Sequence, residues 1–166
     1  MDEHTFPAPL TRRTAVVRLA TGLAALTGWA RIAEGQTQAK TPLVTYKDAN
    51  CGCCGVWVDH IKANGFETSV TDAPDMQAIK ARYKVPGNLA SCHTSVVGGY
   101  VVEGHVPASD IRRLLKEKPQ GIVGITIPGM PASAPGMDIK PFQPYEVLTF
   151  TADGKTTVFS KHTKAS

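Results

Sequence analysis

The chain has 166 residues, of which 42% are hydrophobic and 19% charged, with a formal net charge of +4. That size and balance describe one globular domain with a core of its own. The basic residues are scattered without interleaved aromatics, so a nucleic-acid partner is not expected.

Residues 1–39 differ in character from the rest. Thr11-Arg12-Arg13-Thr14 precedes an apolar run from Leu19 to Ala30. A run of 12 residues is too short to cross ~30 Å of hydrocarbon as a helix. Paired arginines before a short apolar stretch predict an export signal of the twin-arginine type, with Ala15 and Val16 standing where bulkier apolar residues are usual and Arg18 intruding before the run. Small residues allow cleavage after Ala30, Gly35 or Ala39. The expected mature domain is 40–166, periplasmic and with no stable membrane insertion after cleavage; an uncleaved anchor is the alternative.

Leu43–Lys47 predicts a strand and Val56–Ala63 a helix. Between them stands Cys51-Gly52-Cys53-Cys54-Gly55. Three thiols in four positions are poorly explained as packing, since reactivity usually decides why a cysteine is kept. A helix N-terminus offers unpaired N–H groups and the positive end of the dipole, which favour thiolates as nucleophiles or metal ligands. Cys51 and Cys54 form a Cys-x-x-Cys pair suited to redox exchange, whereas Cys51 and Cys53 form a Cys-x-Cys pair typical of metal sites. The motif supports both chemistries.

Asn64-Gly65 predicts a helix stop, and Phe66–Thr71 a second strand. Asp72 or Asp75 is placed to cap a helix over Met76–Tyr83, which Val85-Pro86-Gly87 ends. Ser95–Val97 and Tyr100–Val106, joined by Gly98-Gly99, predict a hairpin. Cys92 and His93 lie just before it. Pro107 opens a helix over Ala108–Glu117 with Ile111, Leu114 and Leu115 as its buried stripe. A βαβ unit followed by a hairpin and a helix is the thioredoxin-like order, an α/β fold with a central mixed sheet flanked by helices. In that arrangement the loop before the hairpin faces the N-terminus of the first helix, so Cys92 is expected to approach Cys51 and Cys53.

The last third adds to that minimal fold. Gly121–Ile127 leads into a Pro/Gly/Met-rich loop in which Pro-Gly-Met occurs twice, ending at Met130 and Met137. Thioethers are soft donors suited to copper(I), although methionine also fills apolar gaps. Tyr145–Phe150 and Thr156–Ser160, around Asp153-Gly154, predict a C-terminal hairpin.

Four sulfurs converging at one helix end can hold one soft ion or several. Structural zinc usually takes two separated Cys-x₂₋₄-Cys knuckles, and only one is present. His93, beside Cys92, is a candidate ligand or hydrogen-bond partner. His60 lies nearly two turns beyond Cys54 along the helix. His105 is expected on the strand face of Val101 and Glu103. Trp57 is expected to pack beside the site, and His4 and His162 are near the ends and are not counted with it.

Cys-Gly-Cys-Cys-Gly with Trp57, Ala-Ser-Cys-His-Thr at 90–94, the run Val-Val-Gly-Gly-Tyr-Val-Val-Glu-Gly-His-Val-Pro at 96–107 and the paired Pro-Gly-Met resemble the exported copper-associated proteins of the CopG type, a family long described only as a domain of unknown function. The similarity spans about residues 43–162; Ala132-Ser133-Ala134 departs from it, where a glycine is expected. The resemblance implies a periplasmic thioredoxin-like domain that holds copper as a thiolate-bridged copper(I) cluster and serves copper resistance, with redox handling of the metal and other periplasmic copper-handling proteins as partners. The expected ligands are Cys51, Cys53, Cys54 and Cys92, with His93, His105, His60, Met130 and Met137 as auxiliary candidates. A catalytic version of that function is electron transfer between copper(I) and copper(II). The rival is a thiol–disulfide oxidoreductase in which Cys51 attacks and Cys54 resolves. A third thiol inside the motif and the absence of the usual proline before the Ser95–Val97 strand, where Cys92-His93-Thr94 stands, weigh against it. A zinc or disulfide-stapled domain presenting a partner surface explains neither the Cys-x-Cys element nor the paired Pro-Gly-Met.

Overall fold

The first strand, β1 (Thr41–Lys47), buries Leu43 and Thr45 on alternate positions and runs parallel to β2 (Phe66–Asp72). The connection is α1 (Gly52–Ala63), the crossover helix that a parallel pair requires. A computed structural model describes residues 39–164; the expected export signal, up to residue 38, and His4 lie outside the described residues.

The chain continues through α2 (Met76–Arg82), capped by the Asp75 carboxylate on the Ala78 N–H, and a 3₁₀ turn at Gly87–Leu89. The hairpin is β3 (His93–Val97) and β4 (Tyr100–Glu103), after which come α3 (Ala108–Glu117), β5 (Gly124–Thr126), β6 (Tyr145–Phe150) and β7 (Thr156–His162). Among the described residues, seven strands form one mixed sheet in the order β2-β1-β3-β4-β5-β6-β7, with β3 antiparallel to both β1 and β4. The α/β architecture with a mixed sheet and flanking helices is the one expected, and its β-α-β unit, hairpin and helix are compatible with a thioredoxin-like core.

The two faces of the sheet are covered differently. Trp57, Val58 and Ile61 of α1 and Ile111 and Leu114 of α3 pack with Leu43, Val97, Val102, Ile125 and Val147 in the main core. Val85 and Leu89, after α2, pack with Val101 and Phe150 on the opposite face. Adjacent residues of a strand point to opposite faces, which is why Val101 and Val102 divide between the clusters.

Two details differ from the sequence expectation. Helix α1 starts at Gly52, so Cys53 and Cys54 lie in its first turn and Cys51 is the N-cap. Gly-Cys-Cys-Gly has poor helix propensity, and the tertiary placement of the turn overrides it. Strand β4 ends at Glu103, and Gly104 turns the chain with φ +76°. His105 therefore does not share the face of Val101 and Glu103.

Candidate metal centre

The site forms where the N-terminus of α1 meets the start of β3. The sulfurs of Cys51, Cys53, Cys54 and Cys92 all lie within 4.8 Å of one another. Parallel pairing of β1 with β2 fixes where α1 begins, and antiparallel pairing of Lys47 with His93 sets Cys92 against that helix end. Residues about 40 positions apart in sequence meet because β1 and β3 are neighbours in the sheet.

Cys51 and Cys54 are joined in a disulfide with a Cα–Cα separation of 5.4 Å, while Cys53 and Cys92 are free. Cys53 Sγ stands 3.7 Å from Cys51 Sγ. A second donor group, Cys54, Cys92, His93 and His105, obeys the same 4.8 Å limit and shares two sulfurs with the first. The donors are thus soft sulfur with borderline imidazole, the set that suits copper(I) and, less selectively, zinc. With the disulfide closed, only two of the four sulfurs are available as thiolates; a four-thiolate site needs its reduction.

The two site histidines play different geometric parts. His105 Nδ1 lies 2.7 Å from the Pro135 carbonyl, which only accepts, so this nitrogen carries the proton. Its Nε2 lone pair then faces Cys92 Sγ at 3.0 Å. His93 is fully buried, with Nδ1 at 3.4 Å from the same sulfur and Nε2 without a hydrogen-bond partner among the described residues. Its ring packs on Trp57, at 4.2 Å between centroids, and meets the edge of His105 at 5.1 Å. Trp57 itself donates its indole N–H to the Val106 carbonyl at 2.9 Å.

Electrostatics favour neutral groups here. Burial, then the nearby Cys53 sulfur, pushes the Cys92 thiol up to about 11. Burial lowers His105 and holds His93 well below its ordinary value, with His105 and Lys80 acting in the same direction on His93. Binding a metal as a thiolate at Cys92 therefore releases a proton.

Other sequence candidates lie around this centre. His60 belongs to neither donor group; its Nε2 accepts the Ala108 N–H at 3.4 Å, and the ring lines a cavity of about 450 Å³ with Ser133, Asp138, Phe142 and Tyr145. The Pro/Gly/Met loop closes over the site through its backbone. Gly129 accepts from the Ser91 hydroxyl and donates to Ala90 O. Gly136, at φ +85°, lies so close to α1 that a Cβ would stand 2.8 Å from the Trp57 backbone nitrogen. Met130, which follows the first of these contacts, is 57% exposed, and Met137 follows the second. Sequence reasoning missed Pro135, whose carbonyl sets the His105 tautomer, and the buried Glu103, whose only sequence signal is an acidic residue ending an apolar strand. His162 is also structural: it bonds Asp110 at 2.8 Å and stacks on Tyr145.

Residues 89–137 match a family model described as a protein of unknown function, DUF411. No curated protein matches the chain. Two solved structures, both named copper resistance protein CopG, Form 1 and Form 2, are each 40% identical, with a TM-score of 0.69, over 74% of this chain and 98% of theirs. With that identity over nearly the whole of the solved chains, this protein belongs to the CopG family of copper resistance proteins.

Proposed function

We propose that this is an exported copper-binding protein that holds copper(I) through the thiolates of Cys51, Cys53, Cys54 and Cys92 and contributes to copper homeostasis in the periplasm. The observation that carries the reading is the convergence of those four sulfurs within 4.8 Å at one helix end. Thiolates both bind and bridge copper(I), so so compact a set accommodates more than one ion. His105 and His93 are auxiliary donors on the inner side, and Met130 and Met137 are candidates at the rim. Residues 1–39 deliver the chain by the twin-arginine route, copper is the cargo, and other periplasmic copper-handling proteins exchange it. Among the described residues no helix is long and apolar enough to cross a membrane.

The closed Cys51–Cys54 disulfide favours a second role at the same place, thiol–disulfide or copper-linked redox exchange. Opening it consumes two electrons and two protons and yields two thiols. The test is metal analysis of the reduced protein loaded anaerobically with copper(I) or zinc(II), with a thiol count before and after. More than one copper per chain with all four thiols protected supports the cluster. No tight copper, with Cys51 and Cys54 cycling readily between dithiol and disulfide, favours the oxidoreductase.

A further inference from the structure

Glu103 and Lys80 are buried charges that the copper-binding reading does not use. Glu103 ends β4, opposite Thr94 in the register of β3, and is wholly shielded from solvent. One carboxylate oxygen accepts the Ser91 N–H at 2.7 Å and the Lys80 ammonium at 2.5 Å; the other accepts the Thr94 hydroxyl at 2.7 Å. Lys80, reaching down from α2, also donates to Thr94 Oγ1 at 3.2 Å. One carboxylate thus grips residues 91 and 94, either side of Cys92 and His93.

The same strand end holds the opposite wall of the site. Gly104 donates its N–H to the His93 carbonyl at 2.9 Å, and a Cβ on Gly104 would overlap the Ser91 side chain. His105 follows directly and places Nε2 on Cys92 Sγ. The spacing between Cys92 and His105 is therefore set by how Glu103 ties the 91–94 segment to the end of β4. Stability gives weak grounds for such a pair, because buried ion pairs lose hydration and well-packed apolar replacements are often no less stable.

We propose that Lys80 and Glu103 are positioning residues for the metal centre: from the opposite face of the sheet they lock the Ser91–Thr94 segment so that Cys92 and His105 are preset to meet one ion. The role deepens the copper-binding reading and rests on it, but one of its readouts needs no metal. Outer partners that orient ligands typically carry 10–100-fold of metal affinity.

The experiment compares the full chain with Glu103→Gln, which keeps the shape but loses acceptor capacity, and with the double variant Lys80→Met/Glu103→Leu, which leaves no unpaired buried charge. Three quantities are read: melting temperature, copper(I) affinity by competition with a chelator, and the alkylation rate of Cys92 relative to Cys53 with the Cys51–Cys54 disulfide closed. The double variant is expected to fold, to bind copper(I) about 10–100-fold more weakly, and to alkylate faster at Cys92 relative to Cys53. Unchanged copper affinity and unchanged relative alkylation would overturn the assignment, as would failure of both variants to fold, which would make the pair a folding determinant. If the unaltered protein takes up no copper, the copper-binding reading fails, and the metal-free alkylation ratio alone decides the positioning role.

Discussion

His105 Nε2 stands 3.0 Å from Cys92 Sγ because the other ring nitrogen is spent on the Pro135 carbonyl. A backbone acceptor in the Pro/Gly/Met loop thereby fixes which lone pair the imidazole turns to the sulfur. Orientation of a ligand by its other nitrogen is the usual way a metal site fixes a histidine tautomer. Changing His105→Ala is expected to lower copper(I) affinity roughly tenfold or more while leaving the helix content intact. Chelator competition alongside circular dichroism checks this, and wild-type affinity in the variant would remove His105 from the site.

Gly136 sits at φ +85° with α1 against its Cα, so Gly136→Ala combines an unfavourable left-handed backbone with an overlap on Trp57. The backbone alone costs about 1–2 kcal/mol, and the overlap adds to it. We expect a clearly lower melting temperature and, because Pro135 is carried with Gly136, weaker copper binding as well. A variant as stable as the parent would show that the loop is not seated on the helix as described.

The two free thiols come from distant parts of the chain but meet at one centre. Cys92→Ser is expected to weaken copper(I) binding about as severely as Cys53→Ser. Retention of full copper loading by Cys92→Ser would reject the converging site.

Copper capacity should depend on the redox state of the Cys51–Cys54 pair. Protein with that disulfide closed is expected to take up fewer copper ions than protein reduced beforehand, since only Cys53 and Cys92 are then free thiols. Metal analysis of both forms after removal of the reductant checks this; equal uptake would mean that Cys51 and Cys54 are not ligands.

Stability of the metal-free protein should fall on the acid side. Burial depresses His93, His105 and His60 in the folded state. Each then binds a proton more readily when unfolded, so stability rises with pH wherever the unfolded chain holds the extra proton. The contribution is present above the unfolded value near 6.5 and is lost as pH falls below it. Cys92 acts at the other end: its raised value preserves stability below the unfolded value of 9.0, and this is lost as pH rises toward about 11. Thermal melts from pH 5 to 8 test the acid limb; a flat profile for the unaltered protein, or an unchanged slope in His93→Gln, would refute it.

Much of this protein is legible one segment at a time. The strand–thiol–helix stretch at 43–63, the Gly98-Gly99 hairpin, the α3 stripe and the terminal hairpin follow from apolar periodicity and turn chemistry, which are local properties of the chain. Candidate chemistry was equally local for Cys51, Cys53 and Cys54, because three thiols in four positions carry their own signal. The approach of Cys92 followed from strand order.

What remained for the tertiary structure were choices between atoms that no local pattern encodes. Gly104 turns His105 off the strand face and onto Cys92, the Pro135 carbonyl selects its tautomer, and Glu103 finds Lys80 of α2 on the sheet's other face. Met130 and His60 carry ligand-type side chains, yet the fold leaves one exposed and spends the other's Nε2 on a backbone N–H. Residue type and spacing determine which chemistry is available; long-range packing and the need to satisfy buried polar groups decide which atoms face one another.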